Sequence, residues 1–143
     1  SQFGDLEIQL ISSNIQKISE YEKKIYGGVS KNFYVRDVLI GFKKKPLIFA
    51  RSITELHNSK RLIYLLKKLN NRSLGSILFS RNYIRSQFKY SKSKQIQFST
   101  ERFRKINVEL EKLLVLRQSF FTNRKEKILL FEGFLENARM YDE

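Results

Sequence analysis

Tyr34-Val35-Arg36-Asp37-Val38-Leu39-Ile40 and Leu47-Ile48-Phe49-Ala50-Arg51-Ser52-Ile53 decide how this chain folds. Both are rich in β-branched and aromatic residues, and each sets an arginine in the middle of an apolar run. Side chains two apart on a strand share a face, so Arg36 lies beside Tyr34 and Val38, and Arg51 beside Phe49 and Ile53. The full segments, Asn32 to Phe42 and Pro46 to Thr54, predict two strands. Lys43-Lys44-Lys45 lies between them, and Pro46 opens the second, where a missing N–H is tolerated. Together they predict an antiparallel hairpin. A third strand-centred charge is Glu132, in Leu130-Phe131-Glu132-Gly133-Phe134. An unpaired buried charge is strongly destabilising, so each of the three needs a partner. Two cations and a carboxylate facing inward from three strands describe a small pocket for an anionic ligand.

Working outward, Leu6-Glu7-Ile8-Gln9-Leu10 alternates and reads as a half-buried strand extending toward Ser12. Asn14 to Tyr26 reads as strand and then a charged connection, ending at a Gly27-Gly28 turn. Asn58 or Ser59 caps a helix whose apolar face is Leu62, Ile63, Leu65, Leu66 and Leu69. Ser73 caps a shorter helix through Phe79. Tyr83 to Tyr90 is a strand or an irregular stretch. Ser99-Thr100-Glu101 opens a helix to about Leu114, with Phe103, Ile106, Leu110 and Leu113 at helical spacing. Val115 to Thr122 and Ile128 to Leu135 are the last strands, joined by a polar turn. The order predicts an α+β fold, an antiparallel sheet with helices packed over one face, in a single domain spanning 1–143.

The 143 residues suffice for one domain with a substantial core, and 41% apolar and 29% charged residues suit a globular protein. The chain has no cysteine, which excludes disulfides and thiolate metal sites, and His57 is its only histidine. A zinc site of the usual kind and a histidine-based triad are therefore not expected. No apolar run approaches the length of a membrane helix, and no signal peptide is visible, so the expected location is cytoplasmic. A formal charge of +14, with seven tyrosines and twelve phenylalanines, would suit a nucleic-acid surface. The basic residues are scattered rather than gathered in one stripe, however, so nucleic-acid binding is not the expectation. The same field would steer an anionic small molecule.

Arginine presents a planar fork that matches a carboxylate bidentately, a geometry lysine cannot reproduce. Arg36 and Arg51 could hold a dicarboxylate, and Glu132 could accept a hydrogen bond from a hydroxyl or take a proton from carbon. The bland alternative is an Arg–Glu ion pair across neighbouring strands, with Arg36–Asp37 and Arg51–Glu55 as further pairings. Leu74-Gly75 opens a helix whose backbone N–H groups could meet an oxyanion, although an ordinary capped turn explains it as well. Arg117 is a further inward candidate. His57 reads as a surface loop residue.

Four stretches together resemble the chorismate lyase family, whose members convert chorismate to 4-hydroxybenzoate and pyruvate. Val35-Arg36-Asp37-Val38-Leu39-Ile40 is similar to the family's hydrophobic-Arg-Glu-hydrophobic strand. Lys45-Pro46-Leu47-Ile48-Phe49-Ala50-Arg51-Ser52 is similar to the strand that follows it. Ser73-Leu74-Gly75-Ser76-Ile77-Leu78-Phe79 resembles the Pro-Leu-Gly-x-x-Leu-Phe helix start. Ile128-Leu129-Leu130-Phe131-Glu132-Gly133-Phe134-Leu135, with Met140-Tyr141 after it, resembles the closing strand. Val115-Leu116-Arg117-Gln118-Ser119 keeps one Arg and the Ser of the family's Trp-Gly-Arg-Arg-Ser stretch.

The resemblance implies an antiparallel sheet whose helices enclose a ligand pocket, without the family's N-terminal helical segment. It implies that Arg36 binds the ring carboxylate, that Glu132 contacts the ring hydroxyl, and that Leu74 offers backbone contact. Arg51 also belongs to the site by this resemblance. The substrate implied is chorismate and the product a ubiquinone precursor, with no metal or organic cofactor; the expected state of the chain is a monomer. A related non-catalytic reading is the small-molecule-binding domain of certain transcription regulators, which share the fold.

Overall fold

A computed structural model gives the structure of the chain and describes residues 6–42, 45–57, 60–92, 113–124 and 126–135. Its framework is an antiparallel sheet. The strands are β1 (Glu7–Gln16), β2 (Phe33–Phe42), β3 (Lys45–Glu55), β4 (Ile84–Arg85), β5 (Lys89–Lys92), β6 (Leu113–Asn123) and β7 (Glu126–Leu135). Their spatial order is β1-β2-β3-β7-β6-β4, with β5 also paired to β6. Among the described residues three helices accompany them: α1 (Glu20–Tyr26), α2 (Lys60–Leu69) and α3 (Leu74–Ser80). Among the described residues, no helix is long and apolar enough to cross a membrane.

The β2–β3 hairpin forms as its sequence predicts, but a bulge governs which residues share a face. Near the turn, Phe42 pairs with Lys45 and Gly41 with Pro46. Beyond it, Ile40 pairs with Ile48, so Leu47 is the extra residue on β3. Had the pairing near the turn continued, Arg36 would sit opposite Arg51. The extra residue instead sets Arg36 opposite Ser52, and Arg51 opposite Asp37. A one-residue slip exchanges the faces of a strand, and here it parts the two arginines.

The first face carries Arg36, Val38, Ala50, Ser52, Leu130, Glu132, Ser119 and Phe121, as the strand registers require. Helices α2 and α3 cover it, burying Leu62, Leu66, Leu69, Leu74 and Leu78 against Tyr34, Phe121 and Leu130. The opposite face carries Val35, Phe49, Ile53, Leu129 and Phe131, and α1 covers it with Tyr21, Ile25 and Tyr26. The expected helix pair thus sits over the face bearing Arg36, and α1 adds a layer behind the sheet.

The stretch 14–26 was expected to be strand and connection, and the strand does run to Gln16. The remainder includes α1, which begins with a capping box. Ser19 Oγ accepts from the Glu22 N–H at 3.1 Å, and Glu22 Oε1 accepts from the Ser19 N–H at 2.8 Å. Gly27 and Gly28, both at φ near 80°, end the helix in the expected turn. The expected helix over 99–114 lies mostly outside the described residues, as do the capping candidates Asn58 and Ser59. Its final residues, Leu113 and Leu114, belong instead to β6.

Behind the sheet sits a buried charge network. Arg51 Nε and Nη2 donate to Asp37 Oδ1 and Oδ2 at 2.8 and 3.0 Å, and Nη1 donates to Glu22 Oε2 at 2.8 Å. All three side chains are fully buried, at 0% exposure. Burial opposes the guanidinium charge, but Asp37 and Glu22 together outweigh it and hold its pKa above the ordinary arginine value. Glu22 therefore serves twice, capping α1 and tying that helix to the sheet. Arg51→Met should strand two buried carboxylates and cost roughly 3–5 kcal/mol of unfolding free energy. Urea denaturation measures this, and an unchanged midpoint would show that the network does not hold α1 in place.

Candidate functional site

The first face holds the second buried arginine in a very different setting. Arg36 is 2% exposed. Its Nη2 donates to the carbonyls of Asn70 and Arg72 at 3.0 and 2.9 Å. Asn70 ends α2 in the left-handed region, at φ 51°, which turns the chain so that these carbonyls reach the guanidinium. Its Nε is buried and has no hydrogen-bond partner. Among the described residues no carboxylate pairs with Arg36, and burial pushes its pKa below the ordinary arginine value. A neighbouring tyrosine, Tyr34, opposes that shift only in part. The protein thus keeps a desolvated cation with spare donor capacity.

Two strands away, Glu132 is held by two arginines. Arg117, its register partner on β6, donates through Nε to Oε1 at 2.9 Å and through Nη2 to Oε2 at 3.2 Å. Arg85 Nη2 donates to Oε1 at 2.7 Å, and Arg85 Nε donates to Ser119 Oγ at 3.0 Å. Both guanidiniums also pack against the Phe88 ring, 4.3 Å from its centroid for Arg85 and 4.2 Å for Arg117, which adds a cation–π contact to the cluster. Burial pushes the Arg85 pKa down, with Arg117 adding to that effect and Glu132 opposing it. For Arg117 burial also acts against the charge, but its bonds to Glu132 prevail and raise its pKa.

Between Arg36 and Glu132 lies a cavity of about 140 Å³. Its floor is the pair Ala50 and Ser52 on β3, whose short side chains leave room above the sheet. Register explains the choice of floor: Ser52 is opposite Arg36, and Ala50 is opposite Glu132. The two charged residues stand two strand spacings apart, roughly 10 Å between backbones, with their side chains reaching in from either side. Ser73, Leu74 and Gly75 at the start of α3 form the roof, beside Arg72. Ser73 makes no side-chain bond to cap this helix. Val38, Ile40, Phe121 and Leu130 supply apolar wall. The chamber thus sets a cation without a carboxylate partner among the described residues, Arg36, across from a carboxylate, Glu132, with apolar wall between them.

The sequence reading therefore separates into parts. Arg36, Leu74 and Glu132, expected in one pocket, line the same cavity. Arg51, expected to join them, does not: the Leu47 bulge sends it behind the sheet to Asp37 and Glu22. A cross-strand Arg–Glu pair does occur, but Glu132 makes it with Arg117 rather than with Arg36 or Arg51, and it borders the cavity rather than replacing it. His57 is exposed, as a loop residue should be.

Arg85 was missed. Its segment was read as strand or irregular, yet Tyr83 and Arg85 stand two apart, and Tyr83 is buried in the core beneath α2 and α3. That alternation carried the signal. The carboxylates serving Arg51 were only partly anticipated. Asp37 is adjacent to Arg36 in sequence, which points to the wrong arginine, and the signal for Glu22 is the capping box spelled by Ser19-x-x-Glu22.

A probable chorismate pyruvate-lyase from Hydrogenovibrio crunogenus is 27% identical over 140 residues, covering 94% of this chain and 72% of that protein. Among solved structures, the C-terminal domain of the histidine utilization repressor from Pseudomonas syringae pv. tomato superposes with a TM-score of 0.65 at 6% identity, covering 94% of each chain. The effector domain of PhnF from Mycobacterium smegmatis gives a TM-score of 0.61 at 6% identity, covering 93% of this chain and 82% of that one. At such identities these structures share the fold alone. The chorismate lyase family matches residues 1–143, and the chain belongs to that family.

Proposed function

We propose that this chain binds chorismate in the cavity between Arg36 and Glu132 and eliminates pyruvate from it, leaving 4-hydroxybenzoate. The observation that carries this reading is Arg36: a buried cation with an unused Nε–H, no carboxylate partner among the described residues, and a place on the cavity wall. Retaining such a group is costly unless a ligand completes it. Membership of the chorismate lyase family supplies the chemical class.

In this reading the ring carboxylate lies at Arg36. The ring passes over Ala50 and Ser52, and the C4 hydroxyl meets Glu132. Three N–H bonds already fall on the Glu132 oxygens, which fixes the carboxylate in orientation and leaves it lone-pair capacity for one hydroxyl. The C3–O bond breaks with its electron pair leaving on enolpyruvate. The C4–H electrons enter the ring, which becomes aromatic, and the released proton ends on the methylene carbon as enolpyruvate becomes pyruvate. Atoms balance without an oxidant or a co-substrate. Aromatisation supplies the driving force, so the protein's task is to orient the substrate and to stabilise charge on the leaving group. Arg51 touches none of this. It steadies Asp37, the residue next to Arg36 on β2.

Incubating the chain with chorismate should produce 4-hydroxybenzoate and pyruvate in equal amounts, followed by ultraviolet absorbance and a coupled pyruvate assay. Binding of 4-hydroxybenzoate without consumption of chorismate would instead favour a ligand-binding domain. Arg36→Met should weaken transition-state binding by about 2–5 kcal/mol, the usual scale for losing a buried charge partner. Because the guanidinium it removes has no carboxylate partner, its thermal midpoint should fall far less than that of Arg51→Met. Equal losses of stability in the two variants would count against a ligand-binding role for Arg36. Ala50→Leu fills the floor of the cavity and should abolish 4-hydroxybenzoate binding, read by calorimetry, while circular dichroism stays unchanged.

A further inference from the structure

Chorismate carries a second carboxylate, on the enolpyruvyl ether, and Arg51, expected in the same pocket, lies behind the sheet. We infer that Arg85 takes that role: its guanidinium binds the enolpyruvyl carboxylate and thereby distinguishes the dianionic substrate from the monoanionic aromatic product. The inference rests on the lyase reading above, and three observations carry it.

The first is position. Arg85 lines the same cavity as Arg36 and Glu132, from β4 on the far side of Glu132. The C3 ether adjoins the C4 hydroxyl on the substrate ring, so a ligand whose hydroxyl meets Glu132 brings its ether side next to Glu132's neighbours. The second is donor capacity. Nε of Arg85 is used by Ser119 and Nη2 by Glu132, whereas Nη1 makes no hydrogen bond among the described residues. Arg72, the other arginine on the cavity wall, directs Nε and Nη2 to the carbonyls of Leu69 and Lys68 at the end of α2.

The third is charge. Arg85 and Arg117 share the single carboxylate of Glu132, which leaves that cluster one positive charge in excess. Arg36 adds another without a carboxylate partner. Two uncompensated cations, at the two ends of one small cavity, match a ligand with two carboxylates rather than one. The same excess charge sits beside the oxygen on which the electron pair accumulates as the C3–O bond breaks, so Arg85 favours the departing enolpyruvate as well as its carboxylate. Once pyruvate has left, Arg36 alone faces the charged end of the aromatic product.

Arg85→Met separates these contacts, because Arg117 keeps Glu132 in place through its two bonds. The test measures KM and kcat for chorismate and the Kd of 4-hydroxybenzoate, which lacks the second carboxylate, for the whole chain and for Arg85→Met, Arg85→Lys and Arg36→Met. For Arg85→Met the expected result is a fall in kcat/KM of roughly thirtyfold or more, the lower end for losing one partner of a buried charge pair. The 4-hydroxybenzoate Kd should stay within about threefold of wild type, as for a residue that the ligand does not touch. Arg85→Lys should recover part of the loss, and Arg36→Met should weaken both ligands. A parallel loss of both ligands in Arg85→Met would show that Arg85 acts only through Glu132 and would overturn the assignment, as would no change in either. A wild-type chain that leaves chorismate intact defeats the lyase reading. Arg85 is then judged on the equilibrium Kd of chorismate against that of 4-hydroxybenzoate, and the assignment falls if the variant shifts both together.

Discussion

The contact on which this fold depends is the fully buried junction of Arg51 with Asp37 and Glu22. It joins two adjacent strands to the only described helix behind the sheet, through three side chains that are fully buried. Buried ion pairs add little stability relative to apolar packing, but they are unforgiving of partial loss, and so they fix geometry. Here the geometry fixed is the register of β2 against β3, which sets where Arg36 emerges on the other side. The C-terminal end of α1 is held by hydrogen bonds instead. Tyr26 OH donates to the Lys127 carbonyl at 3.2 Å and accepts from the Glu55 N–H at 3.1 Å, while Lys127 Nζ donates to the Tyr26 carbonyl at 2.6 Å.

The sheet consequently separates two uses of the same residue type. Behind it, an arginine is saturated by carboxylates and serves architecture. In front, an arginine is kept desolvated and only partly bonded, held by two carbonyls from the end of α2. The two differ in electrostatic environment rather than in burial, since both are almost wholly inaccessible. An incomplete buried cation in a cavity is a feature that packing alone gives no reason to keep, and this asymmetry directs attention to the front face. Solved structures with this fold include an effector domain and the C-terminal domain of a repressor, each at 6% identity, so the fold leaves chemistry undecided and the side chains in the cavity must decide it.

Much of this was legible in the sequence. The hairpin, the two helices over the front face and the closing pair of strands follow from period and punctuation. Arg36 and Glu132 announce themselves as charges within apolar strands. Arg51 announces itself equally, yet it belongs to the other face, because alternation orders residues within one strand and says nothing of parity between strands. That parity hangs on one extra residue near a turn, set by local backbone pairing that no composition or spacing displays. Arg85 shows a different difficulty. A strand of two residues, Ile84–Arg85, is too short for periodicity to register, and only the buried neighbour Tyr83 fixes its direction. The helix α1 was legible through its capping box, but seven residues offer little amphipathic pattern to support it.

The bulge at Leu47 also constrains how this hairpin can vary over evolutionary time. Exchanging one side chain for another near the turn leaves the parity of the strands intact. Losing or gaining a single codon between Gly41 and Ile48 would carry Arg51 toward the cavity and strip Asp37 and Glu22 of their counter-ion in the same event. Length changes at this tip should therefore survive only as compensating pairs, and the spacing of fifteen residues from Arg36 to Arg51 should be held more strictly than the residues that fill it.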